Sequence, residues 1–387
     1  MPNYIDVNPS ILEWAFERAT RSGKNPDSLF RKYHHFEDWL TGKRKPTWSQ
    51  LEGFSQDTYT PFGFFYLDSP PDDELPIADF RTMDSAKITP SVNLIETVQV
   101  AQERQEWFHS YLLREGAEPL PFIGYAEETT PIRDVARYID NLLDLPPISR
   151  RPHKADVFIR LLIQKLEMNG ILVNANSIVD NSTKRLLDPE EFRGFSLSDN
   201  VAPLIFVNTA DAHNAQIFTL MHELAHLLRG ESGVSDSSSN FSPSREEERW
   251  ANSVAAEVLV PANDIELLVT GDISIEKAKE LARRYCISST VVIHRAHDLH
   301  LITDSNHLEL QKMIHSIQRV DRDNKREQSG HPTWYDIEFR RVGRTFASAV
   351  ISDTYSGNTL FQDAYSLLGV KQSSTFDKMA EKLGMAI

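Results

Sequence analysis

The spacing of apolar residues predicts a chain built mainly from helices. Ile11, Leu12, Ala15, Phe16 and Ala19 recur at helical intervals, and Asn25-Pro26-Asp27 opens a second helix carrying Leu29, Phe30 and Tyr33. Thr41-Gly42 and Lys45-Pro46-Thr47 interrupt the pattern before a further amphipathic stretch with Leu51 and Phe54, so residues 8–60 read as a helical bundle able to form a helix-turn-helix unit. Residues 61–76, with four prolines and four acids, read as an extended linker. Long helical patterns follow over 91–115, 131–145 and 154–169. At Gly170 the period changes: Ile171-Leu172-Val173 predicts one strand and Pro203 to Asn208 a second, followed by a helix from about Ala215 to Leu228. The serine-rich stretch 231–244, broken by Gly233 and Pro243, reads as a mobile loop. Helical pattern resumes near Arg249, recurs as helix, turn, helix over 275–302, and fills 334–387 with breaks near Gly357 and Gly369.

Composition narrows the class. The 387 residues are too many for one ordinary domain, and 40% hydrophobic with 25% charged residues is the balance of a soluble globular protein. The single cysteine, Cys286, excludes an internal disulfide framework and a cysteine-built zinc site, and reads as a small buried apolar residue. No run of about 18 apolar residues or apolar leader is present, so no membrane association and a cytoplasmic location are expected. The net charge of -15 argues against electrostatic binding of nucleic acid by the chain as a whole. Its distribution sharpens that statement: eight Lys and Arg balance eight acids in residues 1–60, whereas 13 acids face four bases over 61–130. His34-His35 reads as a polar pair in a helix.

The sharpest chemical signal is His222-Glu223-Leu224-Ala225-His226. Residues four apart share a helix face, so two imidazoles can hold one ion while Glu223 reaches a water on it. Phe218, Met221, Leu224, Ala225 and Leu228 supply an apolar face, and Gly230 a C-terminal stop. Two histidines leave a zinc ion short of a third protein ligand. The extended HExxHxxGxxH pattern does not provide it, because Arg229 stands in place of its glycine and Ser232 in place of its histidine. A carboxylate on the next helix is the remaining source. Glu246, Glu247, Glu248 and Glu257 are candidates; with Ala251, Val254, Ala255 and Val258 as the buried stripe, periodicity does not choose between Glu247 and Glu248.

His222 to His226, then Glu248 three residues before Ala251-Asn252, Ala255-Ala256 and Leu259-Val260-Pro261, resemble the ImmA/IrrE metallopeptidases. Glu191-Phe192-Arg193-Gly194-Phe195 and Pro203 to Asn208 are also similar to that family. So is the stretch from Trp39-Leu40-Thr41-Gly42 through Lys45-Pro46-Thr47 to Asp79-Phe80-Arg81-Thr82, which looks like the subgroup carrying an XRE-type helix-turn-helix module. The resemblance implies an α+β, mostly helical chain: a zincin-like core with a small sheet beside the HExxH helix, preceded by a small helical module. Its divisions would be a module at 1–68, an acidic linker and connector at 69–150, a peptidase core at 151–305 and a C-terminal helical domain at 306–387. It further implies Glu248 as the third ligand beside His222 and His226, Glu223 as general base, and one zinc ion per chain, with manganese as the alternative. The implied activity is endoproteolysis of a partner protein, a helix-turn-helix repressor or antitoxin, in a stress-response, mobile-element or toxin-antitoxin setting. An extended peptide is expected to add along strand 204–208. The competing reading is a DNA-binding regulator or toxin-antitoxin component whose metal site is structural or vestigial. DNA contact would fall to the N-terminal module, against which stand its neutral charge and the seven residues from Tyr33 to Trp39, too few for a full recognition helix.

Overall fold

In the computed structural model, residues 3–71, 74–79, 90–234, 246–324 and 334–385 are described. The chain divides into two compact units, Met1–Pro76 with Lys87–Gln99 and Ile77–Ala86 with Val100–Ile387.

The first unit starts with α1 (Pro9–Arg21), α2 (Pro26–Lys32), α3 (Phe36–Leu40) and α4 (Trp48–Asp57). Local sequence sets each start. Asn8 and Asn25 accept backbone N–H groups ahead of prolines at the first helical position, and Thr47 with Gln50 closes a capping box. The core is aromatic: the fully buried Phe54 ring meets Tyr33, Phe36, Trp39 and Phe65 at centroid distances of 5.1–6.0 Å. Two expectations change here. His34 and His35 lie in the turn between α2 and α3, where His35 faces Arg44 and Asp38. Residues Phe62–Tyr66, expected in an extended linker, form a 3-10 turn because Phe65 has an apolar pocket to fill.

The second unit contains β1 (Ala78–Asp79) and the part of α5 (Val92–Arg114) from Val100 onward, then α6 (Ile132–Leu142) and α7 (Ala155–Met168). β2 (Leu172–Asn176), β3 (Ile178–Val179), β4 (Ser182–Leu186), β5 (Gly194–Leu197) and β6 (Leu204–Asn208) follow, with β3 and β4 forming a separate hairpin. Next come α8 (His213–Arg229), β7 (Gly233–Val234), α9 (Glu246–Leu259), α10 (Ala262–Ile265), α11 (Ile275–Tyr285) and α12 (Ser289–Asp298). The C-terminal helices are α13 (Asp304–Asn324), α14 (Trp334–Val342), α15 (Arg344–Tyr355), α16 (Phe361–Leu368) and α17 (Ser373–Lys382). The architecture is mostly helical α+β with a small mixed sheet, as the sequence led us to expect.

Among the described residues the main sheet has the order β1-β7-β5-β6-β2. β6 runs parallel to β2 and antiparallel to β5, so it is hydrogen-bonded on both sides. Strand addition along 204–208 is therefore ruled out: no edge is free there. Every residue of β2, β5 and β6 is buried, which explains the unbroken apolar run of β6. Gly233 and Val234, read as the start of a mobile loop, belong to this sheet; residues 235–245 of that loop lie outside the described residues. The helices α6, α7, α8, α9, α11 and α12 share one core, to which Leu281, Val291 and Val292 belong together with Leu220 and Leu224. Cys286 is buried as expected, in a left-handed turn after α11, its thiol directed at the Pro152 carbonyl. No described helix is long and apolar enough to cross a membrane.

Because Phe65 is packed rather than extended, Phe65→Ala should lower the stability of the first unit by about 3 kcal/mol. Urea denaturation followed by tryptophan fluorescence measures this; a loss below about 0.5 kcal/mol, the usual effect at an exposed position, would restore the linker reading.

Candidate metal centre

α8 is buried on more sides than its predicted face. Ile217, Leu220, Met221, Leu224, Ala225, Leu227 and Leu228 are all enclosed, with Phe218 only partly so, which makes this the central helix of the unit. His222 and His226, one turn apart, are carried inward with it. α9 packs against α8 through Ala251, Val254, Ala255 and Val258, and that stripe decides among the acids. Glu248 is 2% exposed, Glu247 is half-buried and Glu246 is exposed. Glu257 faces elsewhere, paired with Arg295. Two buried cations anchor the C-terminal end of α9: Arg151 donates to the Val258 carbonyl at 2.9 Å and Arg295 to the Val260 carbonyl at 3.1 Å.

The crossing brings three ligand atoms together. His222 Nε2 and His226 Nε2 are 3.2 Å apart, and Glu248 places Oε2 3.3 Å from the first and Oε1 3.3 Å from the second. Tetrahedral zinc with bonds of about 2.0–2.1 Å has ligand–ligand edges of about 3.3–3.4 Å. The donor set and its spacing therefore fit a divalent metal. Among the described residues, these three alone form a cluster of His, Cys, Asp or Glu with ligand-atom spacing for an ion. Each imidazole is backed through Nδ1: His222 donates to Asn252 Oδ1 at 3.0 Å and His226 to Glu231 Oε2 at 3.0 Å, leaving both Nε2 atoms for the ion.

Glu223 is fully buried beside the cluster, and β5 makes the room for it. A Cβ on Gly194 would stand 2.5 Å from Thr219 Cγ2, 2.7 Å from the Phe206 carbonyl and 3.2 Å from Glu223 Oε1. Only glycine fits that position. Sequence reasoning named His222, His226, Glu223 and Glu248 but missed Asn252, Glu231 and the role of Gly194. The first two carried no periodic signal, since their partners are set by helix crossing and by the chain reversal after α8.

Residues 167–297 match the family model of the IrrE N-terminal-like domain. Residues 342–382 match a model described as a domain of unknown function, and a comparison with curated proteins finds no match. The first match contains the whole cluster and supports the ImmA/IrrE resemblance and a metallopeptidase-type function. The small mixed sheet beside a buried HExxH helix agrees with a zincin-like peptidase domain.

Burial disfavours a charged His226 ring, but Glu231, Glu248 and Glu223 outweigh it and raise its pKa above the usual 6.5. The proton pairing that follows stabilises the metal-free fold fully below pH 6.5 and is lost as pH rises through the raised value. A metal must displace that proton. Zinc uptake at pH 7 should release on the order of one proton per ion, with apparent affinity climbing between pH 6 and 8. Calorimetry in buffers of different ionisation enthalpy measures the release; pH-independent affinity would contradict it.

Proposed function

We propose that the chain is a metal-dependent endopeptidase in which His222, His226 and Glu248 hold one zinc ion and Glu223 is the general base. The observation that carries this reading is the meeting of three buried donor groups at ion-binding distances, next to the buried Glu223 carboxylate on the helix that carries both histidines. A bound divalent ion would supply Lewis acidity, polarising a peptide carbonyl and lowering the pKa of a coordinated water towards about 7. Glu223 takes the proton from water and passes it to the leaving amine. Asn252 and Glu231 hold the two rings, and Gly194 leaves space for the Glu223 carboxylate beside Thr219.

The substrate we propose is a helix-turn-helix repressor or antitoxin, on the strength of the family resemblance. Delivery by the N-terminal module would be through protein contacts. Four of the eight basic side chains in residues 1–60 are engaged internally: Arg18 with Glu96 and the Tyr59 carbonyl, Lys32 with Asp57 at 2.6 Å, Arg44 with Asp38, and Lys45 with Asp6 at 2.8 Å. The helix between Tyr33 and Thr41 has five residues, shorter than a groove-reading helix.

Glu223→Gln should retain one zinc per chain and lower cleavage of a co-purified repressor encoded beside the gene by about 100-fold or more. Glu248→Ala should lose the metal. Undiminished proteolysis by Glu223→Gln would overturn the mechanism, and a metal-free wild type with salt-dependent DNA binding would favour a regulator.

A further inference from the structure

The end of α8 contains a device that the HExxH pattern does not specify. Gly230 adopts the left-handed conformation at φ 74°, its N–H bonds to the Leu227 carbonyl at 2.9 Å, and the N–H of Glu231 bonds to the His226 carbonyl at 3.0 Å. This pair of bonds is a Schellman cap, which returns the second residue past the helix over the third residue from its end. In most such caps the returning side chain makes an apolar contact there. Here the returning residue is Glu231 and the residue beneath it is His226. Glu231 thus grips His226 twice, by its N–H on the carbonyl and by its carboxylate on ring Nδ1 at 3.0 Å.

The carboxylate is itself supported. Its other oxygen, Oε1, lies 3.8 Å from Arg229 Nη1, and the Arg229 guanidinium stacks 4.0 Å from the ring centroid of Trp250 on α9. Trp250 stands two residues after Glu248. Next along the chain, Ser232 Oγ accepts the Ser198 N–H at 2.7 Å, tying the reversal to the end of β5. His222 Nδ1 meets the amide oxygen of Asn252.

We infer that Glu231, delivered by the Gly230 cap and steadied by Arg229, is a positioning residue that fixes the tautomer and orientation of His226 and strengthens it as a metal ligand. This also accounts for the residues at 229 to 231, where the chain departs from the extended HExxHxxGxxH pattern: glycine one place later builds a cap that brings in an acid instead of a third histidine. The inference rests on the metal-site reading above, and the experiment separates the two.

Zinc affinity of the full chain is measured by competition with a chromophoric chelator, and cobalt-loaded protein by its visible absorption, for wild type, Glu231→Ala and Glu231→Gln. Glu231→Ala should weaken zinc binding by about 10- to 100-fold and shift the cobalt bands. Glu231→Gln, which keeps an acceptor of the same shape, should recover part of the affinity and move the bands back towards wild type. A wild type that binds zinc with an Ala variant that binds it equally well, with the same cobalt spectrum, overturns this inference and leaves the metal site standing. So does weaker binding matched by a fall in metal-free melting temperature with unchanged cobalt bands, since that is a purely structural effect. A wild type that binds neither metal fails the metal-site reading, and this inference with it.

Discussion

Placing a carboxylate and two imidazoles where α8 crosses α9, nearly closed to solvent, is the constraint that the second unit is arranged around. A buried carboxylate loses several kcal/mol of hydration, which only nearby positive charge and well-placed hydrogen bonds return. The carboxylates of Glu231, Glu248 and Glu223 favour the charged form of His226, which supplies such charge, and the distances among His222, His226 and Glu248 suit a cation in its place. The rest of the unit fixes the crossing. Arg151 and Arg295 hold the end of α9, the small side chains Ala251 and Ala255 let the helices approach, and β5 presents a residue without a side chain to Glu223.

Much of this was legible because its signals are local. The HExxH pentapeptide, the apolar positions around it and Gly230 lie within a few helical turns, and the long strand β6 announces itself by an unbroken apolar run. The third member of the cluster was not legible from periodicity. Glu247 and Glu248 both extend the stripe of Ala251 and Val254, and only the angle at which α9 meets α8 buries one and leaves the other partly exposed. The family resemblance supplied the choice that periodicity withheld. Strands of two residues, such as β1 and β7, are too short to show alternation and exist because a neighbour offers hydrogen bonds. The same limit explains the edge strand misassigned to 204–208: pairing partners are set by topology, which an apolar run does not encode.

In the first unit, local chemistry and packing point in different directions at one place. Prolines and acids mark 61–76 as a linker, yet the aromatic residues Phe62, Phe64 and Phe65 outweigh that signal by having a pocket to enter. Residues 1–60 are neutral in total, and Lys32, Arg44 and Lys45 are each paired with an acid, which lowers the positive potential of that surface.

The strand β1 has a consequence for how the peptidase portion could be isolated. Ala78 and Asp79 complete the sheet beyond β7, and Gln105 on α5 donates to the carbonyls of Leu197 and Ala202 at the turn between β5 and β6. On the other side Asn174 of β2 donates to the Val342 carbonyl, and Glu167 of α7 accepts the first N–H of α15, where Gly343 alone leaves room for it. A fragment trimmed to the recognisable 167–297 stretch would be an incomplete body, with both flanks of its sheet stripped of hydrogen-bonding neighbours. The segments before and after it are walls of the same structure, so sequence change in them is constrained by the sheet they enclose.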